Sequence, residues 1–137
     1  MTDAQITRMA LKQLCLDLLD AAAIEHPLGH QGKLAARYVL RSAGGEGVEL
    51  MFEKGPTSGA NLWVCHRNAR AILTEGLTFQ SAPANALYKS ADEHGKTRYG
   101  RHSALRPMRQ LGNADLICFS IQNEAVVEKI LEELAAG

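Results

Sequence analysis

Apolar side chains recur every three or four positions from residue 3 to about residue 23, where Ile6, Met9, Ala10, Leu14, Leu18 and Ala22 share one side of a helical wheel. Asp3, Lys12, Asp17 and Asp20 fall largely on other sides, so the spacing predicts an amphipathic helix with that stripe turned inward. Pro27 disfavours helical backbone in the residue before it and Gly29 follows closely, which ends the helix near His26.

The period then changes to two. Residues 37–41 and 48–53 alternate in polarity, and the intervening Ala43-Gly44-Gly45-Glu46-Gly47 supplies the permissive backbone of a tight reversal. A β-hairpin turning about Gly45 would set Tyr38 opposite Phe52 and Leu40 opposite Leu50 on one face. On the other it would set Arg37 opposite Glu53 and Arg41 opposite Glu49. Apolar pairs and opposite-charge pairs agree in this one register, and a slip of one residue would destroy both.

Weaker patterns follow. Residues 62–65 read as a third strand, residues 66–75 as a short helix stopped by Gly76, and residues 77–81 as a strand ending before Pro83. Residues 86–91 and 96–99 suggest another hairpin across Asp92-Glu93-His94-Gly95. Ser103 is placed to cap a helical turn running to about Leu111 and closed by Gly112, although Pro107 removes one early backbone hydrogen bond. Residues 116–121 are almost continuously apolar, as a buried central strand requires. Asn123 then caps a final helix whose inward stripe is Val126, Val127, Ile130, Leu131 and Leu134. The order predicts one α+β domain over residues 1–137, with a mostly antiparallel sheet of about five strands and the N- and C-terminal helices packed on one of its faces.

Composition places this pattern in a setting. The 137 residues are 46% hydrophobic and 22% charged, values of an ordinary soluble domain able to build a core without metal or disulfide staples. Cys15, Cys65 and Cys118 are odd in number, widely spaced and set among apolar neighbours, so they read as reduced, packed thiols. The apolar window 11–24 is broken by Lys12, Asp17 and Asp20, unlike a signal peptide or membrane span. The expected location is cytoplasmic.

Charge changes the picture most. Fifteen Lys and Arg balance fifteen Asp and Glu, which excludes a generally basic nucleic-acid coat and an acidic disordered tail. The balance is uneven along the chain. Residues 1–37 and 38–88 are each neutral, whereas residues 89–109 hold six cations against two acids and residues 110–137 hold five acids against one cation. Within the positive segment, Arg98, Tyr99, Arg101, His102, Ser103, Arg106 and Arg109 gather around the expected helix start. Free N–H groups at a helix start and nearby guanidinium groups suit phosphate or carboxylate, and Tyr88 and Tyr99 offer faces for stacking a base.

Other constellations carry less. Glu49, Glu53 and Lys54 resemble the carboxylate and lysine set of metal-dependent nucleases, but adjacent Glu53 and Lys54 point to opposite faces and the hairpin register pairs both glutamates with arginines. His26 and His30 are four apart, a spacing that serves a metal only on a helix, and Pro27 and Gly29 oppose one there; Cys65 and His66 could join them only through the fold. His102 and Ser103 are adjacent, so their side chains diverge, and no nucleophile elbow accompanies them. The glycines at 44, 45 and 47 lack the Lys-Ser/Thr of a phosphate loop. No cofactor is implied. The sequence therefore leads to a small binding module that engages an anionic partner, nucleic acid or an acidic protein surface, through the basic loop and helix start at residues 96–109. Two further classes remain: a small enzyme acting on a phosphorylated or nucleotide substrate, with the arginines as anion clamps and His102 or His66 moving protons, and an assembly module in which the acidic C-terminal helix meets the basic segment of a second copy.

Overall fold

Why the hairpin closes where it does decides the register of the whole sheet. In the computed structural model, which describes residues 3–30, 32–56, 58–73, 76–84 and 103–136, strands β2 (Ala35–Arg41) and β3 (Gly47–Glu53) are joined by the five residues 42–46. The Gly45 N–H donates to the Ser42 carbonyl at 2.9 Å, and Gly45 takes φ of 87°, the left-handed conformation that a glycine adopts without strain. The Ser42 N–H then donates to the Glu46 carbonyl at 2.9 Å and closes the loop. The turn is therefore centred on Gly44, not Gly45, and the register is shifted by two residues from the sequence expectation. Tyr38 faces Leu50, Leu40 faces Val48, Arg37 faces Met51 and Arg41 faces Gly47. A shift of two keeps every side chain on its expected face while removing all the anticipated arginine–glutamate pairs.

The remaining strands extend this hairpin on both sides. β1 (Ile24–Glu25) pairs with β2, β4 (Asn61–Cys65) with β3, and β6 (Leu116–Ser120) lies between β4 and β5 (Phe79–Ala82). All pairs are antiparallel, and the order is β1-β2-β3-β4-β6-β5. This is the expected α+β class, with six strands among the described residues instead of about five. The addition is β1, where the chain leaving the first helix doubles back along β2. The hairpin expected over residues 86–99 lies outside the described residues.

Helices α1 (Asp3–Ala22) and α3 (Glu124–Ala136) cover the same sheet face, as expected. Beneath them Tyr38, Leu50, Phe52, Leu62, Val64, Ile117 and Phe119 are buried. α3 begins where Asn123 is expected to cap it: its side-chain oxygen accepts the Val126 N–H at 3.2 Å. Val127, Ile130, Leu131 and Leu134 form its buried stripe. α1 is rotated from its expected phase. Cys15 and Leu19 are fully buried, whereas Met9 and Leu14 are 56% and 43% exposed. Leucines at 11, 14, 16, 18 and 19 place apolar groups around much of the wheel, so periodicity alone does not fix which side turns inward. The expected helix after β4 is a single turn, α2 (His66–Ala69), continued by a 3-10 turn at Arg70–Ile72.

Among the described residues, the opposite face is covered by turns and not by an α-helix. A 3-10 turn at Ser103–Leu105 leads into successive turns, correcting the helix expected as far as Leu111. Pro107 cannot donate a helical hydrogen bond, and the chain closes locally, with Met108 N–H on the Leu105 carbonyl and Gly112 N–H on the Met108 carbonyl, both at 2.9 Å. Leu105, Met108 and Leu111 recur every three residues and pack as a buried row with Ala35, Met51, Cys65 and Leu116. Cys15 and Cys65 are buried and Cys118 is half-buried; burial pushes the Cys15 thiol up to about 11 and the Cys118 thiol up to about 12, so both are protonated near neutrality. Among the described residues, no helix is long and apolar enough to cross a membrane.

Gly112 seals this covering loop. A Cβ there would stand 2.7 Å from the carbonyl oxygens of both Arg106 and Met108 and 3.1 Å from that of Leu105. Gly112→Ala is expected to destabilise the protein by about 1–3 kcal/mol, the usual cost of overpacking a rigid site. Urea unfolding of the variant checks this, and an unchanged midpoint would show that the loop yields freely.

Candidate functional site

The covering loop brings backbone polar groups against the sheet, and each needs a partner. Glu49 on β3 supplies several. It is 6% exposed, and its Oε1 accepts the N–H groups of Gln110 at 2.5 Å and Leu111 at 3.2 Å. Its Oε2 lies 2.5 Å from Nε2 of buried His26. β4 pairs with β3 only over Leu50–Glu53, and near the other end of β3 the Gln110 side chain stands in for the missing strand. It accepts the Glu49 N–H at 3.0 Å and donates to the Gly47 carbonyl at 2.7 Å.

Both described histidines of the 26–30 stretch are committed. The Leu28 N–H donates to His26 Nδ1 at 3.0 Å, which places the ring proton on Nε2, facing Glu49. The Arg37 N–H donates to His30 Nδ1 at 3.0 Å, and His30 Nε2 lies 3.1 Å from Glu25. Neither ring presents a free nitrogen to a substrate or metal, although a His–carboxylate pair is the usual form of an oriented general base. Among the described residues no group of three or more His, Cys, Asp and Glu is placed to hold a metal ion. Arg37, expected opposite Glu53, is buried and donates instead to the carbonyls of Gly29 at 2.6 Å, Ala104 at 3.2 Å and Leu28 at 3.4 Å. Glu53 receives the Asn61 side-chain amide at 2.6 Å. Both carboxylates of the set that resembles a nuclease centre are thus spent on structural contacts.

Of the basic segment, Arg98, Tyr99, Arg101 and His102 lie outside the described residues. Ser103 begins the three-residue 3-10 turn, so no α-helix N-terminus stands behind it. Arg106 and Arg109 are exposed on the covering loop, on either side of buried Met108. His66 opens α2 and is half-buried.

A second cationic surface is built on the other side of the molecule. Arg8 and Lys12 are one turn apart on α1. Pairing of Ala35 with Glu53, extended by the Lys54 N–H on the Leu34 carbonyl at 3.0 Å, brings Lys33 alongside Lys54. The four cations line one cleft of about 480 Å³, completed by Met9, Gln13, Leu16 and Pro56. Lys12 is 6% exposed and its Nζ donates to the Gly55 carbonyl at 2.5 Å, with Ser58 Oγ at 3.5 Å. Its pKa is lowered, first by burial and then by the Arg8 charge, against which Glu53 acts only in part. No carboxylate lines the cleft among the described residues.

Counting charge by segments conceals this surface, because its cations belong to two stretches that are each neutral. The signal present in the sequence is the like-charge pair Arg8 and Lys12 at helical spacing, an arrangement that destabilises a helix unless something offsets it. No known protein family, no curated protein and no solved structure matches this chain.

Glu49→Ala would leave the His26 ring N–H and two buried backbone N–H groups without an acceptor. The expected loss is about 3 kcal/mol of unfolding free energy in urea; a loss below about 1 kcal/mol would show that the covering loop is held by its apolar row alone.

Proposed function

We propose that this chain is a binding module for an anionic partner and that it binds through the cleft between α1 and the β3–β4 connection. The observation that carries this reading is the convergence of Arg8, Lys12, Lys33 and Lys54 with no carboxylate among the described lining residues. Four like charges in one depression raise each other's free energy, and an anion placed among them relieves it. The charged form of Lys12 is disfavoured first by its burial and then by the Arg8 charge, and Glu53 offsets this only in part.

The basic segment containing Arg98, Tyr99, Arg101, His102, Ser103, Arg106 and Arg109 is a second candidate surface for a nucleic acid or an acidic protein. Gln110, which closes the described part of that segment's loop, lies away from the cleft. Gln110 is tied to Gly47 and Glu49 near the hairpin end of β3, whereas Lys54 follows the strand's other end, five residues beyond Glu49 and so roughly 16 Å away along the strand. The cleft is favoured because it includes a buried lysine, whereas Arg106 and Arg109 stand on an exposed loop. A cytoplasmic setting belongs to the same reading, supported by three free cysteines whose surroundings keep at least two of them as thiols.

Binding of pyrophosphate, a short single-stranded oligonucleotide and a polyglutamate peptide tests this at about 50 and about 200 mM salt. At least one is expected to bind at low salt, to weaken about tenfold or more at high salt, and to lose a similar factor in Lys33→Ala/Lys54→Ala. The pair Arg106→Ala/Arg109→Ala is expected to change affinity less than about twofold, within the range of an uninvolved surface change. Absence of all binding at low salt, or binding indifferent to the lysine pair, would overturn the reading.

A further inference from the structure

The geometry points to a small amphipathic anion as the occupant of this cleft, a compact phosphate or carboxylate group joined to an apolar body of a few carbons. The inference rests on the anion-binding reading above and gives it a ligand class. Its basis is the alternation of chemistry along one stripe of α1. Met9, Lys12 and Leu16 follow one another at spacings of three and four, so apolar, cationic and apolar groups line the same wall. Pro56 repeats the pattern beside Lys54 on the facing wall. Met9 is 56% exposed, an apolar side chain left in water at the edge of a cationic depression.

A polyanion would use the charges and leave these apolar walls wet. A nucleic-acid strand that enters a protein groove stacks its bases on aromatic side chains, and no aromatic residue lines this cleft among the described residues. An acidic peptide would likewise bring carboxylates on stems of only one or two methylenes, too short to cover these walls. The cleft volume of about 480 Å³ lies in the range of small-molecule sites, about 300–1,000 Å³. Lys12 sits at the buried side of the cleft, with Gly55 holding its amine, while Arg8 and Lys33 are exposed at the surface. The anionic group is held by these cations, and the apolar body lies against Met9, Leu16 and Pro56.

Calorimetric titration of the whole protein with inorganic phosphate, hexyl phosphate, hexanol and a ten-residue oligothymidylate separates the possibilities. Each methylene buried multiplies affinity by about four, so burial of two carbons already gives more than a tenfold gain. Hexyl phosphate is therefore expected to bind at least about tenfold more tightly than inorganic phosphate, and hexanol not measurably. Met9→Ser, at an exposed position, is expected to remove most of the hexyl gain while leaving inorganic phosphate within about twofold. Lys33→Ala/Lys54→Ala is expected to weaken both phosphates. If the two phosphates bind within about twofold of each other, or the oligothymidylate binds more tightly than hexyl phosphate, the ligand class is wrong and the anion-binding reading stands. If no phosphate-bearing probe binds, the ligand class falls, and the anion-binding reading falls with it unless the polyglutamate peptide binds.

Discussion

The carboxylate of Glu49 is the contact on which the second face of the sheet depends. A loop laid over a sheet buries N–H and C=O groups that a covering helix would have satisfied internally, and such groups are tolerated only with partners. Glu49 accepts two of those N–H groups, Gln110 completes the unpaired end of β3, and Arg37 donates to the Ala104 carbonyl at the start of the loop. With the backbone held, Leu105, Met108 and Leu111 reach the sheet and close the smaller core. The same contacts withdraw His26, Arg37 and Glu49 from chemistry. His26 and Glu49, which belong to different candidate sets in the sequence, are joined here into a structural clamp.

Strong patterns were legible and ambiguous ones were not, for physical reasons. α3 has one apolar stripe and a capping asparagine, and β2 and β3 hold Tyr38, Leu40, Val48, Leu50 and Phe52 on one face, so their type and orientation follow from the residues even though Val39 and Met51 make the other face partly apolar. The hairpin register did not, because Gly44 and Gly45 both permit a turn and only the structure shows Gly45 at positive φ. In α1, leucines on several sides left the phase open, and Lys12 would not be placed inward by polarity alone. Its long apolar stem can be buried when the amine finds an acceptor, here the Gly55 carbonyl. The row Leu105, Met108 and Leu111 has a spacing that a helix and successive tight turns share, and Pro107 favours the turns.

Charge bookkeeping along a chain answers a different question from charge in space. Along the sequence, the polarised halves of the C-terminal third make residues 96–109 stand out. A further set of cations, on α1 and beside the ends of β2 and β3, meets because strand pairing and helix packing bring three distant stretches to one cleft. Zero net charge is compatible with such a surface, since the exposed glutamates of α3 lie elsewhere.

The central claim is that anions enter the α1 cleft and not the loop across the opposite face. Backbone amide shift mapping by NMR during a pyrophosphate titration addresses it directly. The account predicts that the moving resonances are those of residues 8–16, 33–34 and 54–56, with residues 104–112 unchanged. Shifts confined to residues 104–112, with α1 silent, would contradict it.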